Sequence, residues 1–538
     1  MLFLPAVFAS CGRGNEPEPE PEDPNVLVAQ VVAVTATAEQ ELANELNQSV
    51  APLDDGGFAV VWGQGETTGA RDIMTQWLDA GGMPVRPAGP LKVTSYLDDA
   101  GDSVVIGREG GGAYVAFSQV DGRAFQVKVQ AFDRGMVPLW PAPMRSAIHD
   151  GGYESQLEPS LAPDTAGGVF VSFYTHSERD GWGIKCQRID AGGVRAWGDE
   201  GIVLGRRYGF VTYPTVVADG LGGVYVFWLN LGNDNAVPPE TMQVEGQHLD
   251  ASGNKLWGDA PLVIDRGDGA RSGYSYTDYM AVSDGQGGAI VSWYADLDPG
   301  DHEIDTLVQR VNESGQLLWG EGVSAGSADR SCQLDHLISA RDGGVFAAYR
   351  VYEGEDWYNR LWLQRLGAGG EKQWGDAGIE ISNPSVPRAN YAVYGYFTGS
   401  HLNLAWTKQE VPYTFDFDVV TGRFKKDGTA MDPADAVIVD DTDDKQFTRG
   451  MAYNPVSQSY FILWEDSRRS KNWDDFDIYG AILRKAASAM AVSPPFPVSL
   501  PARKPMELNR RQTRPMPGGR IVRREGQIAR LKHAGSAA

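Results

Sequence analysis

The chain has 538 residues, with 71 Asp and Glu against 47 Lys and Arg, for a formal charge of −24. A surface of that sign repels nucleic acid and anionic membranes, leaving cations, neutral ligands and basic proteins as partners. Its 65 glycines and 15 tryptophans describe a turn-rich β protein rather than a disordered chain, and its length alone would allow three or four domains.

The first segment, residues 1–10, is a short apolar run that ends in small residues before a cysteine, Phe8-Ala9-Ser10-Cys11. It resembles the signal of a bacterial lipoprotein, whose lipobox is an aliphatic residue, two small residues and Cys; the departure is at Phe8. The resemblance implies that Cys11 is the lipid attachment site and that the protein is extracytoplasmic, in the outer membrane or at the cell surface. Residues 11–24 contain EPEPEPED, which reads as an extended, self-repelling spacer. An acidic stretch after the cysteine is also similar to the surface-export signal of some Bacteroidetes lipoproteins. After this start no run of 18 apolar residues occurs, so no helix would span a membrane and a lipid anchor is the only membrane contact expected. Cys186 and Cys332 belong to neither a disulfide framework nor a C-x-x-C pair and are expected to be buried thiols.

From residue 25 to 487 the chain repeats itself. An apolar run ends in an aromatic at Trp62, Phe117, Phe173, Trp228, Trp293, Tyr349, Trp406 and Trp464, a period of about 57 residues. Five copies are preceded by a Gly-Gly turn with an acid before it, as in ADGLGGVYVFW, Ala218 to Trp228. Asp before Gly supplies the positive φ of a tight hairpin. A polar loop follows, then a strand with glutamine at Gln76, Gln130, Gln187, Gln247, Gln309 and Gln364, then a second tight turn leading to Trp140, Trp197, Trp257, Trp319 and Trp374. Each unit is therefore strand A, tight turn, strand B, loop, strand C, tight turn, strand D. Four short strands repeated eight times predict an all-β chain folded as a β-propeller, of eight blades rather than seven. In strand B both alternating sets of side chains are apolar (Val224, Val226, Trp228 and Tyr225, Phe227), as a sheet sandwiched between two neighbours requires. The eighth unit lacks a strand D after Leu483. NVLVAQVVAV (Asn25 to Val34) is expected to complete it, which removes two exposed sheet edges; SAMAVSP around Met490 is the other candidate. The recurrent glutamine is expected to bond a neighbouring blade's backbone, since a buried amide must be satisfied.

Trp464, Asp466 and Arg468 followed by Asp477, Ile478, Tyr479 and Leu483 form W-x-D-x-R … D-I-Y-x-x-x-L. With the DGxGG … W … QRL … G … W unit, this resembles the propeller repeats of secreted and lipoprotein chains from Bacteroidetes and related bacteria, over about residues 47–484. The shared motifs are structural, so the resemblance implies the fold and says little of function. Unit seven departs most: TGSH stands in place of the Gly-Gly turn and Gly422 in place of the glutamine. Residues 488–538 change sign, with ten Lys/Arg against two Glu from Pro501 onward, and read as a basic, disordered tail.

Strands alternate in direction, so the A–B and C–D turns share one face and the irregular B–C and D–A loops the other. Function favours variable loops on a rigid scaffold, which points to the irregular face. Its ligand-binding candidates are aromatics beside acids: Trp182 near Asp180; Glu355, Asp356, Trp357 and Tyr358; and Trp473, Asp474 and Asp475. Amphipathic rings of this kind either stack on a ligand or pack into their own loop. Asp296, Asp298, Asp301 and Asp305 are spaced as oxygen ligands around a Gly, either for calcium, the one cofactor the sequence offers a place for, or as a solvated acidic loop. No H-E-x-x-H, G-x-S-x-G, P-loop or G-x-G-x-x-G occurs, and no acid/base constellation can be picked out. The reading is a monomeric, lipid-anchored propeller that binds a glycan or a protein. A carbohydrate-active enzyme, like the eight-bladed polysaccharide lyases that use calcium, and a purely structural envelope protein are the alternatives.

Overall fold

A computed structural model describes residues 27–34, 44–65, 71–94, 99–148, 154–207, 211–231, 243–265, 279–295, 305–327, 331–352, 359–382, 390–409, 417–432, 437–440, 446–467 and 477–485. These form eight four-stranded antiparallel sheets, the blades of a propeller. The innermost strand A of each blade is, in order, Asn44–Pro52, Ala100–Gly107, Ser155–Pro163, Val211–Ala218, Met280–Ser283, Cys332–Ser339, Asn390–Phe397 and Gln446–Asn454. Each packs beside the next, and the eighth returns to the first, so the ring is closed. Closure uses both ends of the sheet-forming chain. Blade 8 is Gln446–Asn454, Ser459–Asp466, Asp477–Lys485 and, outermost, the N-terminal strand Leu27–Ala33, paired from Leu27 opposite Lys485 to Ala33 opposite Tyr479.

The hydrophobic core lies between blades, not within them. Tyr225 and Phe227 pack with Tyr279, Val291 and Trp293 of blade 5, while Val224, Val226 and Trp228 pack with Phe170, Ile184 and Cys186 of blade 3. Strand B is thus apolar on both faces because a neighbour covers each. The DGxGG turn is explained by three contacts. Asp219 Oδ1 accepts from Leu221 N (2.7 Å) and Gly223 N (2.8 Å). Gly222 sits at φ +97°, which favours glycine. A Cβ on Gly223 would stand 2.4 Å from the Leu249 carbonyl oxygen. Cys186 and Cys332 are both buried.

The recurrent glutamine does not reach a neighbouring blade. Gln247 Nε2 donates to Gly258 O (2.9 Å) and its Oε1 accepts from Trp257 N (3.1 Å), and Gln187, Gln309 and Gln364 repeat the pair. The amide staples strand C to the stretch after its own C–D turn, where the backbone has left the ladder and would otherwise be unpaired. The tryptophan makes the tie between blades. Nε1 of Trp140, Trp197, Trp257 and Trp319 donates to Ala191, Ala251, Glu313 and Ala368 O, each in the C–D turn of the next blade. The side chain after the glutamine adds to this tie. Arg188 and Arg310 each pair with the turn Asp of their own blade (Asp164, Asp284) and donate to the next blade's carbonyl, and His248 takes the same position.

Candidate functional site

Strand A carries an irregularity at one level around the ring. Among the described residues, the A–B pairing slips by one residue in seven blades, beside the strand-B aromatic. The slipped residues include Gln48, Asp102, Glu158, Tyr213, Asp335, Ala392 and Arg449, each 14 or 15 residues before that aromatic. Asp102, Glu158, Tyr213 and Ala392 hold φ between +48° and +54°, a region that non-glycine residues enter only under constraint. A bulge re-aims side chains out of the two packed faces. On the innermost strands this places a varied set of residues, all polar but Ala392, at one level of the ring, in the half of strand A nearer the irregular loops.

The ring has two halves. In blades 2 to 5, Glu158 Oε2 accepts from Tyr213 N (3.0 Å), and Tyr213 itself is 38% exposed. The Tyr279 hydroxyl lies among the Tyr213 carbonyl, Thr215 Oγ1 (3.0 Å) and the Phe227 carbonyl (2.9 Å). Burial, reinforced by the charges of Glu158 and Asp102, pushes the Tyr174 hydroxyl far above its ordinary pKa. The other half is built on ion pairs. Arg350 grips Asp335 through Nε and Nη2 at 2.7 to 2.9 Å and reaches the Tyr352 hydroxyl, which donates to Gln333 Oε1 (2.8 Å). Glu465 accepts from Gln48 Nε2 (2.8 Å) and Arg449 Nη2 (2.7 Å), joining blades 8 and 1. Acids, arginines, amides and phenols therefore gather at one level of the ring, with Tyr279, Asp335 and Glu465 largely buried and Tyr213 the most exposed.

Trp182 is half-buried and stacks in its own hairpin on His176 (4.2 Å between centroids) and Tyr174 (5.6 Å). Its neighbour Asp180 stands 3.9 Å from Arg179 Nε, and its backbone N–H donates to Ser177 Oγ. Asp305 is buried at the start of strand C of blade 5, paired with Ala295. Glu355, Asp356, Trp357, Tyr358, Trp473, Asp474, Asp475, Asp296, Asp298, Asp301 and Cys11 lie outside the described residues. The loops holding Trp357 and Trp473 leave directly after Tyr352 and Ser467, at the same end as Arg350 and Glu465. Among the described residues no three His, Cys, Asp or Glu side chains cluster as a metal site. The bulge ring escaped the sequence reading, although two prolines signalled it. Pro159 and Pro214 fall inside strand A at one offset, and proline within a sheet belongs at an edge or a bulge.

No family model matches the chain, and no curated protein matches it. Among solved structures it is similar to a PL25 ulvan lyase bound to -[GlcA(1-4)Rha3S]-, with 13% identity, a TM-score of 0.41, and 70% of this chain and 90% of that one covered. It is also similar to the NanB sialidase from Streptococcus pneumoniae (10%, TM-score 0.34, 85% and 71% covered) and to a protein of unknown function from Dyadobacter fermentans (12%, TM-score 0.32, 85% and 99%). At these identities and scores none of them lends a residue role or an activity to this chain.

Proposed function

We propose that the protein is a lipid-anchored, extracytoplasmic binding module whose axial mouth takes a hydroxyl-rich ligand, a glycan. The observation that carries this is the bulge ring: the fold around it repeats, while the side chain it presents changes from Gln48 to Asp102, Glu158, Tyr213, Asp335 and Arg449. A repeated frame with a varied inner surface is how a scaffold specialises without refolding. Carboxylates accept from sugar hydroxyls, arginine and amide groups donate to them, and tyrosine offers both a face and a hydroxyl. Trp357 and Trp473 follow Tyr352 and Ser467 in the chain and are the aromatics that would extend the mouth.

Catalysis is the weaker reading. An acid/base step at neutral pH needs a group poised near that pH. Burial pushes the hydroxyls of Tyr174, Tyr279, Tyr352 and Tyr394 upward instead, so they serve as hydrogen-bond donors and not as bases. The chain's charge of −24 also argues against a polyanionic ligand at this mouth.

The test is a glycan array followed by calorimetry with any hit. Glu158→Gln with Tyr213→Ala should weaken binding at least about tenfold with the melting temperature nearly unchanged. The pair Trp357→Ala and Trp473→Ala should weaken it too. A hit whose affinity survives both double variants would place binding elsewhere, and turnover of a hit into a cleaved product would replace binding with catalysis.

A further inference from the structure

The exposed apolar side chains gather on the turn face. Among the described residues ten large hydrophobic side chains are exposed, and eight of them stand on A–B or C–D turns. Scattered singly they would need no account, but six lie on the C–D turns of five consecutive blades. These are Met83, Val137, Leu139, Val194, Leu256 and Leu318, each 41 to 62% exposed. Every C–D turn closes with a backbone bond between its first and fifth residues, which puts Met83, Val137 and Val194 at one position; Leu139, Leu256 and Leu318 share the position two residues on. In blade 6 the two positions hold Glu371 and Gln373, and the apolar run ends there. The turns also touch. Val85 of blade 1 packs in one cluster with Met136 of blade 2. Trp140, Trp197 and Trp257 lie against Gly193, Gly253 and Gly315 of the following turn, so closely that a Cβ there would stand 2.9 to 3.1 Å from the ring. The rim is therefore continuous from blade 1 to blade 5.

Negative charge is left over along this rim. Its five turns, residues 79–85, 133–139, 190–196, 250–256 and 312–318, carry five acids and three bases. The bases are used within the protein: Arg134 pairs with Asp54 (2.9 Å), Arg195 with Asp199 (2.7 Å), and Lys255 donates to the Asp259 carbonyl. Asp79, Asp133, Asp190 and Asp250 accept hydrogen bonds only from their own turns, and among the described residues none of them meets a Lys or Arg. Between blades 4 and 5 the rim opens into a hollow of about 390 Å³, bordered by Leu221, Leu256, Asp250 and Glu313. His248, also at its edge, is taken up by Asp219 and the Glu313 carbonyl.

We infer that this rim is a docking surface for a basic, amphipathic segment of another protein. Apolar side chains of the segment cover Met83, Val137, Leu139 and Val194, and its Lys or Arg groups meet the turn carboxylates. One such side chain enters the hollow, with its stem on Leu221 and Leu256 and its charged head at Asp250 and Glu313. The body's charge of −24 draws a basic partner in and holds a second copy of the chain off. The surface is independent of the mouth, since it is built from turns at the other end of the blades.

The probe is a labelled peptide of Lys-Leu repeats, with Lys-Ser and Glu-Leu repeats as controls, titrated into the full-length chain by fluorescence anisotropy at two salt concentrations. The Lys-Leu peptide should bind in about the 10 μM range, weaken with salt, and exceed both controls by about tenfold. Val137→Ser with Val194→Ser should weaken it about tenfold. Asp133→Asn with Asp190→Asn should weaken it about fivefold and flatten the salt dependence, while Glu178→Gln on the irregular face leaves it unchanged. Melting temperatures should stay close to wild type, since the valines are exposed and Asn312 already closes the blade 5 turn by accepting from Ser314 N (3.1 Å) and Gln316 N (2.9 Å). Binding no tighter than either control, or an affinity that survives both double variants, reduces the effect to net charge and overturns the surface. So does a free chain that is dimeric, or that binds phosphatidylcholine vesicles, and loses that property in the valine variant. A probe that binds only after residues 501–538 are removed assigns the rim to the chain's own basic end and overturns a separate partner.

Discussion

The indole nitrogens at the end of strand B show how one recurrent residue type can carry different loads. Trp228 Nε1 donates to Glu245 Oε2 (2.9 Å), and Glu245 is 1% exposed and also held by Asn230. Trp62 is equally buried, yet its Nε1 has no hydrogen-bond partner among the described residues. Trp228→Phe removes a donor from a buried carboxylate and should cost about 2 kcal/mol, whereas Trp62→Phe loses only packing and should cost less. Urea melts of the two variants check this; equal losses would mean that the hydrogen bond contributes nothing. His336 gives a pH effect of known sign. It stands beside the Asp335 bulge, against the Tyr394 ring at 5.5 Å, and burial pushes its pKa down to about 4. The unfolded chain protonates first, near the ordinary value of about 6.5, so the native state loses stability as pH falls from there towards 4 and is unaffected above. The side chain keeps some exposed area, so the loss should be on the order of 1 kcal/mol. Melting temperatures across that window should fall more steeply for wild type than for His336→Leu, and parallel curves would remove the histidine from the account.

Closure is decided by one element. Among the described residues the strand Leu27–Ala33 has one ladder partner, Asp477–Lys485, and Val34 N donates to Ile478 O at its far end. Without it, strand C of blade 8 becomes an exposed edge. A chain that begins after Val34 should lose on the order of 5 kcal/mol, from about four ladder hydrogen bonds near 1 kcal/mol each plus the apolar burial they carry. A synthetic peptide of residues 25–34 should restore part of the melting temperature. An unchanged melt would show that the ring does not depend on this strand. That such a strand was needed could be read from the sequence, because unit eight ends at Leu483 with three strands and an unpartnered apolar segment stands before unit one. Turn residues and strand-B aromatics repeat since each blade meets the same neighbours, and this makes the blade count legible. The glutamine's partner was not legible. A buried amide demands a hydrogen bond, but whether the nearest orphan backbone lies in its own blade is a matter of geometry. Nor was the bulge ring, whose single extra residue is lost in D–A connections of unequal length; only Pro159 and Pro214 betray it. TGSH and Gly422 were visible as departures in unit seven, and the strand D missing from unit eight sets them beside the blade without a C–D turn.

For the molecule as a whole, the closure also sets direction. Leu27 pairs with Lys485 and Tyr460 with Leu483, so the N-terminal strand enters, and strand C of blade 8 leaves, at the turn face. The mouth with Glu158, Arg350 and Arg449 lies at the other end of the blades. If Cys11 carries a lipid, the turn face should lie on average nearer the membrane than the mouth. The spacer of residues 11–24 reaches up to about 40 Å when extended, and the two faces are separated by the ~25 Å length of a blade strand. That difference is measurable. Cys186 and Cys332 are 0% and 1% exposed, and burial pushes the Cys186 thiol well up, so an introduced surface cysteine can be labelled selectively. Leu221→Cys puts a dye on the turn face, at a side chain that is 80% exposed, and Arg179→Cys puts one on the irregular face, where the arginine side chain is 72% exposed. With acceptor dyes in the lipid, energy transfer should be stronger from position 221 than from 179, and both signals should vanish in a Cys11→Ala background. Equal transfer would mean that the body tumbles freely on its spacer, and stronger transfer from 179 would turn the mouth towards the membrane and remove the case for an outward-facing ligand site. A wild-type chain that never partitions with membranes would end the lipid-anchor reading altogether, leaving the ring and its mouth as they are.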